Sequence, residues 1–179
     1  MEVVKSHAVL WLRSSALATC MVFPMTSLYA QNLLSAAAKT IGVHQCQEAV
    51  DRLSSQAVNG SAAHDVLVDW DHDTPNSAPF FGMIAATFNG AVAISSVAAV
   101  PDNQGRCSVQ AERITTAPVT CDSLAQVELK NYSGTRLLPS VNVYTMPADP
   151  GAVVMLIDAP PVCLIIRRHV QYHWALNKK

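Results

Sequence analysis

The sequence has no charge excess and few aromatic rings. Twelve Lys and Arg stand against 13 Asp and Glu, for a formal charge of −1, and Phe, Trp and Tyr together make up 6% of the residues. A protein that neutralises a phosphate backbone ordinarily carries a basic face and a raised pI, so no nucleic-acid partner is expected. Glycosidase chemistry, which needs two carboxylates flanking a cleft, is disfavoured by a small chain with few rings to stack on sugars. Catalytic signatures are missing too: the chain holds no GxSxG elbow, no HExxH, no close His-x-His pair and no CxxC. No apolar run reaches the roughly 20 residues that a membrane-spanning helix requires.

What the N-terminus does contain is an address. Lys5 and Arg13 precede an apolar run from Ala16 to Phe23, Pro24 interrupts it, and the small residue Ala30 precedes Gln31. That order of basic, apolar and small residues predicts a secretory signal peptide over residues 1–30. Leu17-Ala18-Thr19-Cys20 is the rival, lipoprotein reading. Its apolar region is short and Thr19 is larger than the residue usual before a lipidated cysteine. Removal of residues 1–30 leaves a mildly acidic chain of single-domain size.

Cys46, Cys107, Cys121 and Cys163 lie beyond the signal segment. An even number in an exported chain predicts two disulfides, which excludes these thiols as nucleophiles or metal ligands. The strand expected from Cys107 to Thr116 would be about 33 Å long, placing Cys121 far from Cys107 and arguing against that pair. The other two connectivities stay open on geometry.

Residues 31–43 (QNLLSAAAKTIGV) read as a flexible lead-in, and residues 44–179 as a single α+β domain. In HQCQEAVDRLSSQA the apolar positions Cys46, Ala49, Val50, Leu53 and Ala57 repeat at helical spacing, and Asn59-Gly60 ends the helix. Val66-Leu67-Val68 is a short strand candidate. PFFGMIAATFNGAVAISSVAAVP splits at Asn89-Gly90 into a hairpin whose alternate positions are apolar on both sides, predicting strands covered on both faces. Thr120 stands where a helix N-cap belongs, ahead of a second short helix. Further strands are expected over 137–146, 152–158 and 162–172. The architecture expected is an antiparallel sheet with two short helices packed on it.

A two-fold internal repeat is a candidate, because each half opens with a cysteine near a helix start and carries another at the start of its last strand. The repeat, if real, pairs Cys46 with Cys107 and Cys121 with Cys163. GRCSVQAERITTAPVTCDSLAQ and PPVCLIIRRHV resemble stretches of small exported bacterial proteins with four cysteines and no assigned function. The resemblance covers a minority of the chain; it implies a periplasmic or secreted bacterial protein and brings no activity and no site residues.

Two segments bear candidate function. Asp69, Asp71 and Asp73 alternate as at the start of an EF-hand loop, and His72 lies among them; this set is the candidate for calcium or zinc, or for acid/base hydrolysis. The EF-hand pattern breaks at Thr74, where glycine belongs, and at Phe80, where the bidentate glutamate belongs. The reading without a metal, and so without a cofactor, is an acidic strand end that pairs with Arg167 and Arg168. In CLIIRRHVQYHW, alternation puts Arg167, His169, Gln171 and His173 on one face and Arg168, Val170, Tyr172 and Trp174 on the other. Arg167, Arg168, His169, Tyr172 and Trp174 therefore form a candidate recognition edge, since such side chains combine contact area with polar tips. The function expected is a non-enzymatic module binding a protein partner in the periplasm or outside the cell.

Overall fold

The computed structural model describes residues 32–174, and the expected signal peptide lies outside the described residues. Among the described residues, three helices and eight strands follow one another: α1 (Leu33–Ile41), α2 (Gln47–Val58), β1 (Ala63–Trp70), β2 (Phe80–Phe88), β3 (Ala91–Pro101), β4 (Cys107–Ala117), α3 (Cys121–Glu128), β5 (Ser133–Leu138), β6 (Val141–Met146), β7 (Asp149–Ala159) and β8 (Val162–Trp174). The strands form a single antiparallel sheet in the order β1-β2-β3-β4-β8-β7-β6-β5. The α+β class is as expected, with one more helix than the two anticipated. None of the described helices is long and apolar enough to cross a membrane.

The sheet consists of two four-stranded meanders joined through their last strands, and each meander follows a helix. Cys46, at the start of α2, bonds Cys107 on the first residue of β4; Cys121, opening α3, bonds Cys163 near the start of β8. Those are the pairs that the repeat implies. Where β4 meets β8, Ala111 pairs with His169, Glu112 with Arg168 and Arg113 with Arg167. Glu112 and Arg168 each stand five residues after their strand's cysteine, so the relation between the halves passes through their pairing. Each bridge closes a loop of tens of residues (separations 61 and 42), which by chain entropy is worth about 4 kcal/mol.

All three helices lie on the same side of the sheet. One core gathers Leu34, Val50, Phe80, Ile84, Val97, Val109 and the Cys46–Cys107 bridge under α1 and α2. A smaller one gathers Leu124, Val154, Leu156, Ile165 and the Cys121–Cys163 bridge under α3. The strands of the hairpin are covered on this side only. β2 alternates strictly, with Phe80, Gly82, Ile84 and Ala86 buried and Phe81, Met83, Ala85 and Thr87 exposed. Its doubly apolar pattern thus records one buried face and one bare apolar face, not two covers. The hairpin turns at Asn89-Gly90 as expected, with Gly90 at φ +78°.

The segment expected to be a loose lead-in is docked. Leu34 and Ala38 are fully buried, and Asn32 caps α1 by accepting from the Ser35 amide while its own amide nitrogen donates to Ser54 and Ser55 of α2. Gly82 makes room for this helix, since a Cβ there would fall 2.5 Å from Leu34 Cδ1. The apolar spacing of Leu34 and Ala38 is helical, but two positions in so short a stretch do not by themselves say whether a helix packs or hangs free.

Gly82→Ala is expected to lower stability by about 1–3 kcal/mol, because the fully buried Leu34 side chain occupies the space that a methyl would need. Chemical denaturation checks the value. Protease cleavage within α1 in the variant, absent from the parent, would show that the loss comes from undocking that helix.

Candidate functional site

β8 supplies most of the candidate recognition residues, and it is no edge: β4 and β7 pair with it on either side. Its side chains are therefore presented from the middle of the sheet to two opposite faces. Arg167, His169 and Gln171 point to the helix side, where Arg167 donates to Glu128 at the end of α3. His169 Nδ1 lies 3.9 Å from an Asp149 carboxylate oxygen. Arg113, beside Arg167 on β4, stacks its guanidinium 4.5 Å from the centre of the Phe88 ring. Leu53, Gln56, Ala57, Arg113 and His169 border a small recess of about 160 Å³ between the two cores. Arg113, Arg167 and His169 are thus each engaged by a side chain of their own half.

Trp174 departs from the expected alternation. Between Val109↔Gln171 and Cys107↔Trp174, β8 advances one residue more than β4, and His173 takes the left-handed conformation at φ +55°. The bulge turns Trp174 onto the helix side, where it is buried against the first core and Arg52 lies 5.2 Å from its ring centre. Trp174 is thus a core residue and is withdrawn from the recognition set. Simple alternation cannot foresee a bulge of this kind.

The acidic segment is far from the arginines it was expected to meet, since β2, β3 and β4 stand between β1 and β8. Glu128 and Glu112 pair with Arg167 and Arg168 instead. Asp69 sits on the bare face opposite Phe81, and His72 packs its ring 4.4 Å from that of Trp70. Asp71 accepts from the backbone amides of Asp73 (2.8 Å) and Thr74 (3.1 Å), closing the turn. Those amides hold its carboxyl below the ordinary 3.8. The same loop braces the helices: Asn76 Oδ1 accepts from the amides of His44 and Gln45 at 2.9 and 2.7 Å, in the link between α1 and α2. Among the described residues no group of three or more His, Cys, Asp or Glu is placed to hold a metal ion.

The side of the sheet away from the helices carries the remaining candidates and several residues that the sequence did not single out. Leu67 is 63% exposed, Phe81 52%, Met83 47% and Val92 61%. Ile94, Ile114 and Ile166 align across the middle strands, with Met155 beyond Ile166 on β7. At the centre, Arg168 Nη2 donates to Gln110 Oε1 (2.9 Å) and its Nε lies 3.5 Å from Glu112 Oε1. Arg168, Val170 and Tyr172 line a shallow depression with Val153; Leu67, Phe81, Met83, Ser96 and Ala98 line another on the first half. The signal for this face was present in the doubly apolar alternation of β2, but its assignment needed the positions of the helices.

Asp71 is expected to titrate below 3.8 in the folded chain, as followed by carboxyl NMR shifts. With a depressed folded value, its contribution to stability is complete above 3.8 and disappears as pH falls through the lowered midpoint. Since this carboxylate serves the turn, calcium, zinc and EDTA are each expected to leave the melting temperature unchanged; a rise with either metal would reinstate the segment as a metal site. No protein-family model, no curated protein and no solved structure matches this chain, so the functional reading rests on its own geometry.

Proposed function

We propose that the protein is an exported, non-enzymatic module of the bacterial envelope that binds a protein partner through the bare face of its sheet, as an inhibitor, immunity-like protein or adaptor does. One observation carries this reading: all the described helices pack on one side, leaving a largely apolar sheet face with Leu67, Phe81, Met83, Val92 and Ile114 exposed, Arg168, Glu112, Gln110 and Tyr172 set into it, and Asp65 and Asp69 at its rim. Monomeric proteins ordinarily keep their largest exposed apolar patch to roughly 300–600 Å². Apolar area with a few polar groups and a ring carrying a hydroxyl is also the composition of protein interfaces. Export is supported by the signal-like N-terminus and by two disulfides, which persist in oxidising compartments.

Of the residues first singled out, Arg168 and Tyr172 belong to this surface, whereas Arg167 and His169 serve the opposite side. The alternative, a metal-dependent or acid/base hydrolase built on Asp69 to Asp73, draws no support from the geometry, because Asp71 is committed to its turn.

A photo-reactive side chain placed at Phe81 is expected to capture a polypeptide in cells that produce the protein, while one at Glu48, exposed on α2, captures none. Capture at neither position, in chains shown by circular dichroism to be folded, would refute a protein partner on this face.

A further inference from the structure

We infer that the occupant of the bare sheet face is a second copy of this chain, stacked sheet on sheet so that Glu112 of each copy meets Arg168 of the other. The inference rests on the reading that this face binds protein, and narrows it to one partner.

Area is the first support. Eight strands at about 4.8 Å spacing and a length of about 30 Å give the face a footprint of roughly 1,000 Å². A stable association uses about 800 Å² per partner. Stacked sheets approach to about 10 Å, which requires inward side chains of moderate size without fixed charges except in complementary pairs. The middle of this face meets that requirement with Ile94, Ile114, Ile166, Met155 and Val170, all apolar, around one cation and one anion.

Charge placement supplies the second support and fixes the orientation. Glu112 and Arg168 are opposite one another on adjacent central strands, at the point that relates the two halves of the molecule. A two-fold axis running parallel to these strands, midway between β4 and β8, exchanges the positions of the two strands between copies. It sets Glu112 of each copy over Arg168 of the other and closes a ring of four alternating charges. An axis across the strands would set Glu112 over Glu112 and Arg168 over Arg168. Electrostatics therefore selects the first arrangement. In it the first half of one copy covers the second half of the other. The hollow over Ser96 and Ala98 on β3 then faces β7 of the second copy, where Val153 occupies the matching level beside Arg168.

An anionic lipid surface is the weaker fit. Binding to such a surface relies on clustered Lys and Arg, and this face offers Arg168 already paired with Glu112, with Asp65 and Asp69 at its rim.

The test uses the chain expressed with its own N-terminus and purified as the cell leaves it. Light scattering after gel filtration is expected to give twice the chain mass. Glu112→Arg places two cations at the centre of the face and Arg168→Glu two anions; each variant alone is expected to dimerise at least tenfold more weakly than the parent. An equimolar mixture of the two is expected to recover the doubled mass, as a heterodimer identified by native mass spectrometry. Recovery on mixing also shows that both variants are folded. Phe81→Lys gives an independent check, with unchanged circular dichroism and loss of the dimer. A parent that stays monomeric at all concentrations overturns the inference, as does flotation of that monomer with neutral or anionic vesicles. Single charge variants that dimerise as tightly as the parent overturn it too. If the Phe81 photo-adduct then has a mass other than twice the chain, a protein still occupies the face and only its identity is wrong.

Discussion

The pairing of β4 with β8 is the constraint on which the rest of the molecule depends. It is the ladder that joins the halves, running from Cys107↔Trp174 to Ala117↔Cys163, and it turns two four-stranded meanders into one sheet. Because the two strands are antiparallel and each half carries its helices on the same side, joining them here puts every helix on one face. The other face is left bare as a direct result. Meanwhile, the seam beneath the helices falls between two separate cores, where Arg113, Arg167 and His169 find partners that a continuous apolar core would deny them.

The two halves are alike in plan but differ in how they fill space. In the first, α1 lays Leu34 across Gly82, which lacks a side chain to obstruct it. Among the described residues the second half has no counterpart of α1. At the corresponding level of its sheet, Tyr144 leans on Gly134, with a Cβ on that glycine falling 3.0 Å from the ring, and packs against the smaller core. A helix in one half and a single tyrosine in the other thus take the corresponding place on the sheet, and the tyrosine covers less of it. The larger first core and the barely covered β5, all of whose residues are exposed, follow from that difference.

Features with a local physical cause were legible in the sequence. The presence of two disulfides, the Asn89-Gly90 turn, the Thr120 cap and the helix around Val50 and Leu53 each follow from composition, spacing or a residue suited to one backbone conformation, whereas the cysteine pairing was reached only through the candidate repeat and stayed open on geometry. The features that were not legible depend on what packs against what. Leu34 is buried only because Gly82 lies beneath it; Trp174 is buried only because one extra residue in β8 reverses the alternation. Arg168 and Tyr172 were singled out by residue type and strand alternation, whereas the placement of Phe81, Met83 and Glu112 on one face shows only once the sheet is seen to be covered on one side. The Asp69 to Asp73 segment showed the opposite failure: a conspicuous pattern whose best-ordered carboxylate closes a turn.

The cystines join Cys46 to Cys107 and Cys121 to Cys163, each to the next cysteine along the chain, and neither bridge crosses from one half to the other. A chain threaded N-terminus first into an oxidising compartment would deliver Cys46 and Cys107 together before Cys121 arrives. Oxidation in order of arrival then yields the native pairs, so maturation in such a compartment would have little need of an enzyme that reshuffles disulfides.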